Sequence, residues 1–269
     1  VILSDSGKIR LSEIGIININ TSFRHRLFPD LSKEGCMVTP NHTDITAADL
    51  SEVSLFMSLS EQQRHRLLDQ HRGVTFSPDQ LLMLDQDESQ GLILLLNGIA
   101  KVRRFNSEGE EDVLSLLGPG DVCGEMAVLN NGRRSADVVS VTTCDAVFLR
   151  VGPFRELLHS EPRLSLALAR LEARRLQDLN CRFTLRGADA TTRLLATLCE
   201  LARRTRLGAD SFSTIPPLPH RELACLSGLA RETTSRILSK LRQQGIVEEV
   251  EGGRLKIVNR DALHQRQLL

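Results

Sequence analysis

Two stretches of this 269-residue chain carry side chains whose types and spacing could do chemistry. The first runs Gly124-Glu125-Met126-Ala-Val-Leu-Asn-Asn-Gly-Arg133-Arg134-Ser135-Ala136-Asp-Val138. A glycine lets the backbone come close to a ligand. The start of a short helix offers unpaired N–H groups to an anion, and an arginine pairs bidentately with phosphate oxygens. In that frame Glu125 accepts from a ribose hydroxyl, and the stretch reads as a cradle for a sugar phosphate. The same residues also describe an ordinary turn with a solvated basic end, and taken alone they favour that plainer reading. The second stretch, Arg231-Glu-Thr-Thr-Ser-Arg236-Ile-Leu-Ser239-Lys240, puts Arg231, Glu232 and Thr233 in the first turn of a helix. Arg236 follows one turn later, near the same face. Arginine can pair bidentately with guanine in the major groove, and glutamate can accept from the cytosine amino group. Ser235, Ser239 and Lys240 suit phosphate contacts.

Each stretch needs a scaffold, and the sequence supplies one. Between Gly73 and Arg150, short apolar runs alternate with turn pieces such as Asn97-Gly98, Glu108-Gly109 and Gly118-Pro-Gly-Asp121. Seven or eight strands at that spacing predict a small antiparallel roll, with the first stretch as its one helical interruption. Helical starts at Thr46 and Ser60 precede the roll. After Glu161-Pro162 an unbroken helical pattern runs to about Arg186. Leu166, Ala169, Ala173, Leu176 and Asn180 repeat at three and four, a coiled-coil seam, while Leu164, Leu168, Leu171 and Leu179 mark an adjoining apolar face. A helix capped by Thr191-Thr192 follows. Next comes a Gly- and Pro-rich connection, then Arg221–Leu226 and the helix from Arg231, joined through Ser227-Gly228-Leu229: a helix-turn-helix. Two short strands around Glu251-Gly252-Gly253 read as a wing. The fold class expected is α+β: roll, long helix, C-terminal winged helix-turn-helix. The divisions expected are an extension over 1–45, the roll over 46–160, the long helix over 161–187 and the winged domain over 188–269.

Composition narrows the partners. Lys and Arg together number 34, as do Asp and Glu, yet the balance is −7 over residues 1–160 and +7 over 161–269. A polyanion therefore belongs at the back half. Tyr and Trp are absent, which argues against stacking platforms for single strands. The six cysteines are scattered, with no C-x-x-C pair, so reduced thiols in a cytoplasmic protein are expected and no metal. No apolar run is long enough to span a bilayer. No Ser/His/Asp spacing, metal cluster or phosphate-binding loop points to catalysis, so no catalytic residue is assigned.

Over roughly residues 50–260 the sequence resembles the CRP/FNR (catabolite-activator) family of bacterial transcription regulators. Gly124-Glu125 with Arg134-Ser135-Ala136 is similar to the phosphate-binding cassette of cyclic-nucleotide-binding domains, and Arg231–Leu238 to the family's recognition helix. The resemblance implies a ligand site of Gly124, Glu125, Met126, Arg134, Ser135, Ala136 and Asn180. Gly124 and Glu125 would take ribose and phosphate, and Arg134 the phosphate charge, with Ser135 beside it. It implies a cyclic nucleotide effector, cAMP, together with a homodimer, double-stranded DNA bearing a TGTGA-like half-site, and RNA polymerase as a partner. Leu179 and Asn180 stand where the cAMP-binding members use a Thr-Ser pair against the base. Oxygen-sensing members carry an N-terminal group of cysteines for an iron-sulfur cluster, and only Cys36 lies in that region here.

Overall fold

The computed structural model describes residues 45–88, 91–130, 132–205 and 214–268, and the backbone of three short strands, β1 (Ile2–Ser4), β2 (Lys8–Arg10) and β3 (Ile17–Asn18), which pair antiparallel. The rest of the N-terminal extension, including Cys36, lies outside the described residues, as does most of the Gly- and Pro-rich connection.

Two helices open the main body. α1 (Ala47–Leu50) and α2 (Glu61–Leu68) each start at a capping box, Thr46 with Asp49 and Ser60 with Gln63, which satisfies N–H groups that a helix start leaves unpaired. Eight strands follow: β4 (Arg72–Phe76), β5 (Leu81–Met83), β6 (Leu92–Asn97), β7 (Ala100–Phe105), β8 (Glu111–Leu117), β9 (Val122–Cys123), β10 (Asp137–Ser140) and β11 (Cys144–Leu149). They form two antiparallel sheets, ordered β4-β11-β6-β9 and β5-β10-β7-β8. The unbroken apolar run of β6 has a use for both faces. Ile93 and Leu95 point between the sheets with Leu82, Val138 and Ala146, whereas Leu92, Leu94 and Leu96 point out to a second core under α1, α2, α4 (Val151–Ser160) and α5 (Pro162–Leu185). A six-residue helix, α3 (Glu125–Asn130), interrupts the strands between β9 and β10.

The long helix α5 uses its faces unequally. Leu164 and Leu168 are buried and Leu171 packs on the second core, while Leu166, Ala169, Ala173, Leu176 and Asn180 are all exposed. Leu179, grouped by its spacing with the inward face, is instead exposed, because α5 has run past the end of the second core by that turn.

The third core belongs to the C-terminal part. α6 (Ala190–Thr205) supplies Leu194, Leu195, Leu198 and Leu201. α7 (His220–Ser227) and α8 (Arg231–Gln243) close over them, and the strands β12 (Thr214–Ile215), β13 (Val247–Val250) and β14 (Arg254–Ile257) form the wing in the order β12-β14-β13. A last turn, α9 (Asp261–His264), buries Leu263 in the same core. Two details differ from the sequence reading. The cap of α6 is Asp189, whose Oδ1 accepts from the backbone N–H groups of Thr191 (2.9 Å) and Thr192 (3.1 Å). The wing also has a third strand, β12, set into a Pro-rich segment that reads as linker. Arg193 on α6 reaches the turn of the helix-turn-helix, its Nε donating to the Ser227 carbonyl at 3.2 Å and its Nη2 to that of Gly228. Ile99, Leu116 and Val141 of the roll belong to this third core too, so the winged domain is seated on the β7–β8 side of the roll.

Candidate functional site

The cassette folds around its glycine. Gly124 sits at φ 94°, in the left-handed region, and a side chain there would overlap both the Arg134 guanidinium and the Gly91 carbonyl. The bare backbone lets Arg134 turn inward. Its Nη1 donates to the Gly124 carbonyl (2.9 Å) and its Nη2 to the Gly91 carbonyl (2.8 Å). Arg134 is only 4% exposed and its Nε has no hydrogen-bond partner. Burial pulls its pKa down, with Cys123, Asp87 and Glu125 opposing. The guanidinium therefore keeps one buried donor in reserve for an acceptor such as a phosphate oxygen.

Glu125, at the start of α3, is as buried as Arg134. Its Oε1 takes the Nη1 donor of Arg175 on α5 at 2.6 Å, and its Oε2 has no partner. Arg175 Nη1 also donates to Glu172 Oε1 at 3.3 Å, and its Nη2 donates to the Val122 carbonyl. The structure thus brings Gly124, Glu125 and Arg134 together. Ala136 is buried nearby, whereas Met126 and Ser135 are exposed, the Ser135 hydroxyl lying 3.6 Å from the Met126 sulfur. Asn180 is exposed on α5, a turn and more beyond Arg175. Arg175 and Glu172 were missed by sequence reasoning. A signal existed: position 175 continues the inward series Leu164, Leu168, Leu171 at spacings of four, three and four, so an arginine there faces the roll.

On the winged domain, Gly228 at φ 61° ends α7 in the left-handed conformation that helix C-termini favour. Ala224, 5% exposed, permits the close crossing with α8. Along α8, Thr234, Leu238 and Leu241 are buried; Arg231, Glu232, Arg236, Ser239 and Lys240 are exposed, and Thr233 and Ser235 are half-buried. Five of the seven polar residues singled out on this helix are therefore open to solvent, and Thr233 and Ser235 lie at the edge of its buried face.

The roll and the winged domain are tied by charge. Lys101 on β7, with a side chain 4% exposed, places Nζ 2.8 Å from Glu222 Oε1 on α7 and 2.9 Å from Glu111 Oε1 on β8. Arg103 braces Glu111 (3.2 Å) and Asp137 (3.4 Å), and Arg221 on α7 reaches Asp79 of the roll at 2.7 Å. The partners hold the Lys101 pKa up against its burial, and Lys101 with Arg103 holds the Glu111 carboxyl below its usual range.

The roll and the winged domain have counterparts among known protein families. Residues 73–161 match the cyclic nucleotide-binding domain family, and residues 192–266 match the Crp-like helix-turn-helix domain. The cyclic AMP receptor protein of Thermus thermophilus is 30% identical over 194 residues, which cover 72% of this chain and 87% of that protein. This chain belongs to the CRP/FNR family of transcriptional regulators. As a CRP/FNR regulator it couples a cyclic nucleotide-binding domain to a DNA-binding helix-turn-helix, and its family is one of regulators, not enzymes. The CRP/FNR fold is shared with FixK2 from Bradyrhizobium japonicum (TM-score 0.64, 20% identity, 72% of this chain and 96% of that one). It is also shared with the c-di-GMP responsive global regulator CLP of Xanthomonas campestris (TM-score 0.60, 21% identity, 74% and 100%). Among the described residues of the CRP/FNR regulator, no helix is long and apolar enough to cross a membrane.

Proposed function

We propose that this regulator acts as a cytoplasmic homodimer, gated by cAMP, that reads a TGTGA-like palindrome and meets RNA polymerase on bound DNA. The observation that carries the reading is the convergence on one site of the cassette's Glu125 and Arg134 with Arg175 of α5. The cyclic phosphate would take the spare Nε donor of Arg134, and a ribose hydroxyl would donate to the partnerless Oε2 of Glu125. Gly124, Met126, Ser135 and Ala136 complete the cassette around them, and Asn180 belongs to the base-facing side. No step of catalysis and no metal enters this reading. We assign residues 1–45 to an extension, 46–160 to the sensor, 161–187 to dimerisation and 188–269 to DNA binding.

A second copy gives the exposed seam of α5 a partner. Leu166 is 51%, Leu176 59% and Phe183 73% exposed, and covering the exposed half to three-quarters of such side chains is worth roughly 1–2 kcal/mol each. Pairing by a twofold axis along this helix would set the two α8 helices about one DNA turn apart, ~34 Å. Arg231, Glu232 and Arg236 would then meet base edges, and Thr233, Ser235, Ser239 and Lys240 the backbone. A ligand shifts such an arrangement only by its differential affinity for the two states, and α5, which carries both Arg175 and the seam, is the element through which that difference acts.

One observation favours a second effector. Leu179 and Asn180, at the base-facing positions, offer one amide and an exposed aliphatic surface, a combination open to bases other than adenine. The structural relative CLP is described as c-di-GMP responsive. Both readings meet in one mobility-shift experiment on a TGTGA-N6-TCACA duplex at a fixed salt concentration, because phosphate contacts make the affinity salt-dependent. Stimulation by cAMP is the expected result. Stimulation by cyclic di-GMP alone transfers the gate to that ligand, and binding indifferent to both makes the roll a structural module.

A further inference from the structure

The cluster under the cassette holds one carboxylate more than its guanidinium can neutralise. Glu125 and Glu172 lie on opposite elements, α3 and α5, and present their Oε1 atoms to the same Nη1 of Arg175, at 2.6 and 3.3 Å. The Glu125 side chain is 4% exposed and that of Glu172 29%. The other ionisable groups that act on this cluster are Arg134 and Cys123, with Asp87 beyond Arg134 and Asp121 beyond Cys123. Burial pushes the Cys123 thiol up to about 12, so it is neutral and adds no charge. Asp121 is bound to Arg204 at 2.8 Å. Two carboxylates sharing one half-buried cation cannot both ionise without cost, and a proton on one of them relieves it.

We propose that Glu172 is a proton-binding residue of the effector site, and that an anionic nucleotide and this proton bind together. The inference rests on the cyclic-nucleotide reading above and adds a regulator to the same site. Ionised Glu172 places a second negative charge beside Glu125 at the ribose side of the site; protonated Glu172 removes it and can donate to the Glu125 carboxylate. Burial, followed by the Glu125 charge, raises the Glu172 pKa to about 7, with Arg175 opposing. A bound phosphodiester, which stays ionised at neutral pH, raises it further. Nucleotide binding therefore takes up a proton, and nucleotide affinity falls as pH rises through 7.

The sign and size can be read by calorimetry with cAMP on the intact protein at pH 6, 7 and 8, in buffers of different ionisation enthalpy. The protonated fraction of a group titrating near 7 drops about tenfold from pH 6 to pH 8, and the apparent affinity of a ligand selective for that form drops with it, about tenfold. Glu172→Gln, which fixes the neutral form, is expected to hold the pH 6 affinity across the range and to abolish proton uptake. Equal pH dependence in wild type and Glu172→Gln overturns the proposal. A readout without nucleotide separates this failure from that of the cAMP reading: the carboxyl carbon resonance of Glu172 in the free protein. A midpoint near 7 supports the proposal even where cAMP does not bind, and a midpoint in the ordinary carboxylate range overturns it whatever the effector is.

Discussion

Two buried charge clusters in this regulator have the same core and opposite tempers. In the joint between roll and winged domain, Lys101 stands between Glu111 and Glu222; under the cassette, Arg175 stands between Glu125 and Glu172. At the joint Lys101, with a smaller share from Arg103, outweighs burial and holds Glu111 below the usual carboxylate range. In the sensor, Arg134 spends two of its donors on backbone carbonyls, and Glu172 is left near 7. Whether the shared cation outweighs burial and the neighbouring carboxylate separates a fixed strut from a titratable site. The strut suits a contact that must persist between domains, and the titratable site suits a pocket that must change occupancy.

Removing the joint's cation should have the largest effect. Lys101→Met leaves Glu222 buried without a partner, and breaking one side of a buried pair costs about 3–5 kcal/mol. Urea denaturation should register that loss, and a change below about 1 kcal/mol would mean that water enters the joint freely. Next in size is a variant that touches neither cluster. Arg236→Ala, on the exposed face of α8, should cost ~1–3 kcal/mol at one guanine and less on random DNA, with both clusters titrating as before. Equal losses on specific and random duplexes would make Arg236 a phosphate contact. The smallest effect separates the clusters by pH. Glu172 binds its proton more tightly when folded than at the usual carboxylate value of 4.5, so its contribution to stability is complete below 4.5 and is lost as pH rises towards 7. The joint runs the other way at its acid end: Glu111, with its lowered pKa, contributes above the usual carboxylate range and loses that contribution only as pH falls below it. Lys101, with its raised pKa, contributes until strongly alkaline pH. Stability curves of wild type and Glu172→Gln should therefore diverge between pH 4.5 and 7 and run parallel from 7 to 8.

What the sequence disclosed follows the range of each interaction. The cassette and the recognition helix are local, each within fifteen residues, and their residue types show at sight. The roll showed through its turn pieces, and the long helix α5 through its unbroken three-four pattern. The pairings within the two clusters were hidden for a physical reason, although the inward series of α5 does mark which way Arg175 faces. Lys101 meets Glu222 across 121 residues and Arg175 meets Glu125 across 50, and an isolated charged residue in a strand or helix looks the same whether it faces solvent or a partner. Sequence reading also took Thr191-Thr192 for the cap of α6, because Ser and Thr cap helices as Asp does and several candidates stood side by side. The strand β12 was hidden by the prolines that follow it, which allow an edge strand to end there.

The grip of Arg193 on the carbonyls of Ser227 and Gly228 has a mechanical consequence. A helix-turn-helix held only by its own packing could adjust the crossing of its two helices to each operator. Here the turn is also clipped from behind by α6, so any change in the crossing of α7 and α8 must stretch or break both hydrogen bonds of Arg193.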